Sequence, residues 1–351
     1  MKKGDFRRAF ERRVGELLRL VNTESQPNIN PLALQLRDAR NLALNIKFFG
    51  YELAKQLAEA IPPRAGLRAI HTELSSKAST QADLESEWAG YWLQELKIPL
   101  VFHRKLWELA YVLQALYETD MLRAGRHGLG FGCGAEPIAS YLAAREVNVI
   151  ATDLSPQNRV AQGWLESGQH ATSLDAMFQS HLVNREDFEA RVGLRFVDMN
   201  EIPNDLRDFD FCWSICALEH LGSIEKGLDF IVASIKTLRP GGVAVHTTEF
   251  NFIDDEKTLD NWPTVLFQRR HFESLAARLR ANGHNVAPLN FDVGTKPLDR
   301  FIDLPPFAHD WPERLRSWAG EPAHLKLSID GFASTCFGLI VTKSVEGGPA
   351  T

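Results

Sequence analysis

The chain has 351 residues, 44% of them apolar, and a formal charge of -6. That is enough apolar material for a full α/β core with an additional helical subdomain, and the acidic balance makes nucleic acid an unexpected partner. Four cysteines without paired C-x-x-C spacing read as reduced, buried thiols; with no secretory signal and no long apolar run, the expectation is a cytoplasmic protein that does not enter membranes.

In chain order, Phe6, Phe10, Val14, Leu17, Leu18 and Val21 recur at helical spacing. Leu42, Ile46, Phe49, Leu53, Leu57 and Ile61 repeat the pattern until Pro62-Pro63 stops it. The polar stretch 75–83 reads as a loop or linker. Trp88, Tyr91 and Trp92 precede Pro99, and Phe102, Leu106, Leu109, Leu113 and Leu116 form a further helical stripe. Residues 1–120 are thus expected to be an all-helical N-terminal subdomain, and its helices are the candidate surface for a homo-oligomer. Aromatics at this spacing read first as core, with Trp88, Tyr91, Trp92 and Trp107 as an alternative pocket lining.

From Gly125 onward short apolar runs alternate with helical stretches, which predicts a doubly wound, mostly parallel sheet with crossover helices over residues 121–345. Seven strands are expected: Gly128–Phe131, Val147–Thr152, Leu194–Val197, Phe209–Ile215, Val243–Thr248, Val286–Phe291 and an antiparallel last strand Phe332–Thr342. Ser223 reads as the N-cap of a helix through Ile224, Leu228, Ile231 and Ile235, ended by Arg239-Pro240-Gly241-Gly242. Insertions at 165–191 and 294–324 are placed to shape a pocket, the second through the rigid Leu304-Pro305-Pro306-Phe307 segment, which suits a lid.

The strand at Gly128 runs into the glycine turn Gly130-Phe131-Gly132-Cys133-Gly134 and then into a helix from Ile138. Glycines there let backbone approach a nucleotide-like ligand closely. Asp153 ends the next strand, where a carboxylate can accept both ribose hydroxyl protons. These two features alone also fit a nicotinamide-dependent oxidoreductase. His220 and Glu249 follow the carboxyl ends of predicted strands, where open α/β sheets bind ligands, and are the candidate catalytic bases, with His246 a weaker third. Glu249, Asp254 and Asp255 cluster in sequence without forming a closed ligand set, so no metal is expected.

Further on, Asp198-Met199-Asn200 closes the third strand, Phe209-Asp210-Phe211 leads to Ala217-Leu218-Glu219-His220-Leu221, and Leu238-Arg239-Pro240-Gly241-Gly242 introduces the fifth strand. In this order the segments resemble the class I, Rossmann-like S-adenosylmethionine-dependent methyltransferases. The resemblance covers about half of the chain. It implies S-adenosylmethionine as cofactor, with Gly130, Gly132 and Gly134 cradling the methionine part, Asp153 on the ribose, Asp198 and the Met199 backbone on the adenine amine, and Ser214 flanking the methionine. One departure stands out, because the acid usual two residues before the first glycine is replaced by Gly128; Glu136 or a side chain of the N-terminal subdomain is the candidate substitute. Strand four lacks both an Asn/Asp-Pro-Pro-Tyr/Phe ending and a Pro-Cys pair, which directs the expectation to O-methylation of a glycan or small polar metabolite. The rival readings are the oxidoreductase, which does not account for Asp198-Met199 or Pro240-Gly241-Gly242, and a non-catalytic S-adenosylmethionine-binding scaffold.

Overall fold

The computed structural model describes residues 29–157, 171–307, 311–320 and 322–345, with Phe10 and Val14. The first predicted helical stripe, Phe6 to Val21, therefore lies almost wholly outside the described residues. Helix α1 is Ile29–Glu59, followed by a short strand β1, Ser76–Ala78, and helices α2 (Gln81–Leu84), α3 (Glu87–Glu95) and α4 (Arg104–Glu118). Strands β2 (His127–Phe131), β3 (Asn148–Asp153), β4 (Val192–Phe196), β5 (Phe209–Ile215) and β6 (Leu238–Asn251) follow, with α5 (Ile138–Ala143), α6 (Leu174–Met177), α7 (Arg185–Arg191) and α8 (Ile224–Lys236) between them. After α9 (Arg269–Ala281) come β7 (Asn285–Val286), β8 (Leu289–Asn290), β9 (Ile302–Asp303), α10 (Glu313–Ala319), β10 (Lys326–Ile329) and β11 (Phe332–Thr342).

The strands form one 11-stranded sheet whose main path is β4-β3-β2-β5-β6-β11-β1-β8. From β4 to β6 the pairing is parallel, and β11 runs antiparallel beside β6. The expected parallel sheet with an antiparallel last strand is present, but with more than seven strands. The predicted strand Val286–Phe291 is two short pieces, one bonded to β11 and the other to β1. The chain order reverses between β2 and β5, the point of an open α/β sheet beyond whose carboxyl strand ends ligands bind.

Two expectations for the N-terminal third change. It is not all-helical, because β1 rises from the supposed linker and pairs with both β11 and β8. Most of the predicted apolar stripe on α1 faces outward: Leu42, Ile46, Phe49 and Leu53 are 61%, 45%, 70% and 39% exposed, while Leu57 and Ile61 at its end pack against the core. The buried side instead carries Lys47, Tyr51 and Ala54. Lys47 pairs with Asp303, Tyr51 donates to the same carboxylate at 3.1 Å, and Gly50 sits so close to Phe301 that a Cβ would lie 2.3 Å from its ring. Directed polar bonds and a close backbone approach thus fixed the rotation of this helix, and periodicity could not register them.

Helix α4 packs on β5, β6 and β11 and carries a solid apolar face, with Trp107, Ala110, Tyr111, Val112, Leu113 and Leu116 almost fully buried. Burying each of the larger side chains stabilises by roughly 1.5–3 kcal/mol. Its first turn is capped by His103, whose Nδ1 accepts from the Lys105 amide at 3.1 Å. The aromatic set is core: Trp92 Nε1 donates to Gln114 and Trp107 Nε1 to Asp83. Ser223 caps α8 as read, accepting from the Lys226 amide, whereas the helix ends at Lys236 and Leu238 already belongs to β6. Among the described residues no helix is long and apolar enough to cross a membrane.

Candidate active site

The glycine turn after β2 has the conformation its residues suggest. Gly132 and Gly134 have φ of +60° and +51°, in the left-handed region that side chains with a Cβ disfavour. A Cβ on Gly132 would lie 2.8 Å from Ala217, the residue just beyond β5, and 3.5 Å from Met199 Sδ. Asp153 at the end of β3 reaches back to this turn: its Oδ2 accepts from the Gly134 amide at 3.2 Å and from the Ala171 amide at 3.0 Å, while Oδ1 accepts from Leu154. Gly132, Gly134, Asp153 and Met199 are therefore brought together at the reversal of strand order. Gly130 is different, because a Cβ there would strike Cys133 Sγ and the Trp213 ring, so its smallness serves packing under the turn.

The missing acid has a steric cause. A Cβ on Gly128 would lie 2.4 Å from Phe211, whose ring fills the space that a longer side chain would need. Glu136, just after the turn, stands 3.9 Å from Lys105, and burial pushes its carboxyl up to about 8. Asp198 is exposed and accepts from the Asn200 amide at 2.8 Å. The Ser214 hydroxyl is buried and 2.8 Å from His246 Nδ1, so it is engaged inside the fold.

His246 is held on its other side by Ser234, 2.9 Å from Nε2, and burial lowers its pKa to about 3. It belongs to the interior and is not a base. Glu249 is not on a loop: β6 continues through it, and it is 2% exposed. Arg104 on α4 meets its Oε1 at 2.7 Å and Ser334 donates to its Oε2 at 2.6 Å. Burial pushes the Glu249 carboxyl up, and Arg104 pulls it back. His220 lies in a 3-10 turn after β5, with Nδ1 3.0 Å from the Pro263 carbonyl oxygen. A carbonyl only accepts, so Nδ1 carries the proton and Nε2 the lone pair; burial lowers this imidazole to about 4 and keeps it neutral at pH 7.

Several residues here were not singled out from sequence. Arg104, Lys105 and Glu108 project from the first turns of α4, and Glu219 precedes His220. Thr247 donates to Glu108 Oε2 at 2.6 Å and Thr248 to Glu219 Oε2 at 3.0 Å. Burial opposes the charge on Glu108, but Lys105 and Arg104 outweigh it and hold that carboxyl below its ordinary value, whereas burial pushes Glu219 up. Cys216 and Cys336 complete the wall, their sulfurs 3.5 Å apart, and burial raises both thiols. The available signal was a charged Arg104–Glu108 pair, spaced i,i+4, opening an otherwise apolar helix.

Two groups of side chains among the described residues could hold a metal, Glu108 with both cysteines, and Cys216 with Glu219 and Glu249. Asp254 and Asp255 belong to neither; Asp254 instead accepts from the Glu256 and Lys257 amides. The centre of the first group is occupied by Arg104, whose Nη1 lies 3.2 Å from Cys216 Sγ, 3.7 Å from Cys336 Sγ and 3.5 Å from Glu108 Oε1.

The chain is 29% identical over 115 residues to a malonyl-[acyl-carrier protein] O-methyltransferase of Salmonella typhimurium; the match spans 32% of this chain and 44% of that enzyme's length. Among solved structures it is similar to an S-adenosylmethionine-dependent methyltransferase from Aquifex aeolicus, at 15% identity and a TM-score of 0.33 over 66% of this chain and 88% of that one. Another is an S-adenosylmethionine-dependent methyltransferase from Clostridium acetobutylicum, at 11% identity and a TM-score of 0.37 over 74% and 98% of the two chains. Residues 103–288, more than half of the chain, match the family model described as a methyltransferase domain. With its glycine turn and Asp153 at the reversal of strand order, the chain belongs to the methyltransferase-domain family.

Proposed function

We propose that this methyltransferase acts on a small polar acceptor, a metabolite or a glycan unit, bound between the first turn of α4 and the carboxyl ends of β5 and β6. The observation that carries the reading is the pairing of an open glycine turn with Asp153 on one side and a buried cluster of charged groups on the other. The residues suit the cofactor. Gly132 and Gly134 hold the positive φ that the turn requires, and Asp153 is the acceptor that fixes it. Gly130 would support the turn from below, Asp198 and Met199 would receive the adenine, and Ser214 would contribute backbone while its hydroxyl holds His246. Glu136 would take the methionine ammonium in place of the acid that Phe211 excludes. When bound, S-adenosylmethionine supplies an electrophilic methyl group, so the protein's work is chiefly orientation and exclusion of water.

His220 and Glu249 are the proposed bases. His220 is the better suited, since burial keeps its imidazole neutral, whereas both Glu249 oxygens are engaged by Arg104 and Ser334. In this proposal the described helices of residues 29–120 and the described part of the segment 294–324 roof the crevice. Lys47, Asp303 and His324 tie them together, with His324 Nδ1 2.7 Å from Asp303 Oδ2. Self-association through the N-terminal helices stays part of the proposal, on the exposed side chains Leu42, Ile46, Phe49 and Leu53.

The test is incubation with methyl-labelled cofactor and a metabolite extract, followed by mass spectrometry of labelled products, alongside calorimetry with adenosylhomocysteine and with NAD. A labelled small polar product and adenosylhomocysteine binding are expected. Label found only on protein or lipid would refute the acceptor class, and NAD binding without adenosylhomocysteine binding would refute the cofactor cradle.

A further inference from the structure

The acceptor side of the crevice is chemically unfinished. Four carboxyl groups, Glu108, Glu136, Glu219 and Glu249, stand near it with the cations Arg104 and Lys105. The neighbouring histidines His103, His220 and His324 are kept neutral by burial. Glu219 is 1% exposed, yet among the described residues its Oε1 accepts no hydrogen bond, and Glu108 Oε1, on a residue with no exposed surface, accepts none either. Arg104 Nε is a buried donor in the same condition. Buried polar atoms left unmatched cost about 1–3 kcal/mol each; Glu108 Oε1 has Arg104 Nη1 only at 3.5 Å, and a ligand that satisfied all three atoms would recover that cost.

From these three atoms we infer that the acceptor is a small amine bearing an oxygen substituent, whose N–H groups bind Glu219 Oε1 and Glu108 Oε1 and whose oxygen accepts from Arg104 Nε. The inference rests on the methyltransferase reading and narrows it. An amine supplies donors for the two carboxylate oxygens that accept no hydrogen bond, the other oxygens of Glu108 and Glu219 being held by Thr247 and Thr248. A carboxylate ligand would add a fifth acid to the cluster, and a plain hydroxyl offers one donor where two are needed. When the neutral nitrogen accepts the methyl group, the carbon–sulfur electron pair stays on sulfur and a surplus proton is left on nitrogen. His220 Nε2, the base proposed above and 4.0 Å from Glu219 Oε1, takes that proton.

The experiment uses the full chain saturated with adenosylhomocysteine and titrates matched probes by calorimetry: ethanolamine against ethylene glycol and glycolate, and glucosamine against glucose. The amines are expected to bind at least ~10-fold more tightly than their partners, the effect of one charge-assisted hydrogen bond. Glu219→Gln should remove that preference while leaving adenosylhomocysteine affinity and melting temperature unchanged. Equal binding of amine and non-amine probes, or a preference that survives Glu219→Gln, would overturn the inference. A variant that instead loses adenosylhomocysteine affinity would assign the acid to the cofactor and also overturn it. Wild-type protein that fails to bind adenosylhomocysteine would refute the cofactor cradle itself, which separates the two failures. Glu219→Asp, which keeps the charge, is expected to retain part of the preference.

Discussion

Arg104 and Glu249 form a 2.7 Å ion pair that joins the first turn of α4 to the carboxyl end of β6. The contact closes the wall of the crevice opposite the glycine turn, and both partners are largely shielded from water. Arg104→Met would leave the Glu249 carboxylate buried without its counter-charge, and a loss of about 3–5 kcal/mol is expected. Arg104→Met with Glu249→Gln should recover much of it. Chemical denaturation of the two single variants and the double variant checks this, and additive losses would show that the pair is not coupled.

Asp153→Ala is expected to weaken adenosylhomocysteine binding by about 10–100-fold, the range for losing a hydrogen bond to a charged group. The same carboxylate also accepts the Gly134, Leu154 and Ala171 amides, so the variant should melt at a lower temperature as well. Calorimetry and a thermal scan on one preparation check both parts; unchanged affinity in a folded variant would remove Asp153 from the cofactor site.

His220→Ala should lower kcat by about 10²-fold, within the range for a lost general base, with little change in adenosylhomocysteine affinity. Initial rates with the labelled acceptor from the extract experiment give the comparison. A wild-type rate would exclude the imidazole from proton transfer.

His246 provides a pH test. Its folded-state pKa, about 3, lies below the ordinary 6.5, so between those values the unfolded chain binds a proton that the folded chain refuses. Stability from this group is therefore intact above about pH 6.5 and is lost as pH falls toward about 3. Melting temperatures from pH 7 to 4 should fall less steeply in His246→Asn than in the parent, even though the variant starts lower for want of the two serine contacts. Parallel slopes would contradict the assignment.

Gly128→Ala should destabilise by about 1–3 kcal/mol, because the new methyl meets the Phe211 ring. In a Phe211→Ala background the same change should be nearly neutral. A thermodynamic cycle of the four proteins tests whether that ring is what keeps an acid out of β2.

Sequence order alone determined the Rossmann-like half. Strands Phe209–Ile215 and Phe332–Thr342, the glycine turn and the position of Asp153 follow from short-range patterns: apolar runs, obligatory φ > 0 and residues fixed by one strand end. Partner choice was decided only in three dimensions. Which face of α1 is buried depends on Asp303, about 250 residues away in sequence, and Glu249 reads as a loop acid until β11 lengthens β6 and Arg104 arrives from α4. Such contacts leave no periodicity, because a charged side chain is stable inside a protein only when a specific partner is delivered to it, and the delivery is made by the packing of elements far apart in the chain.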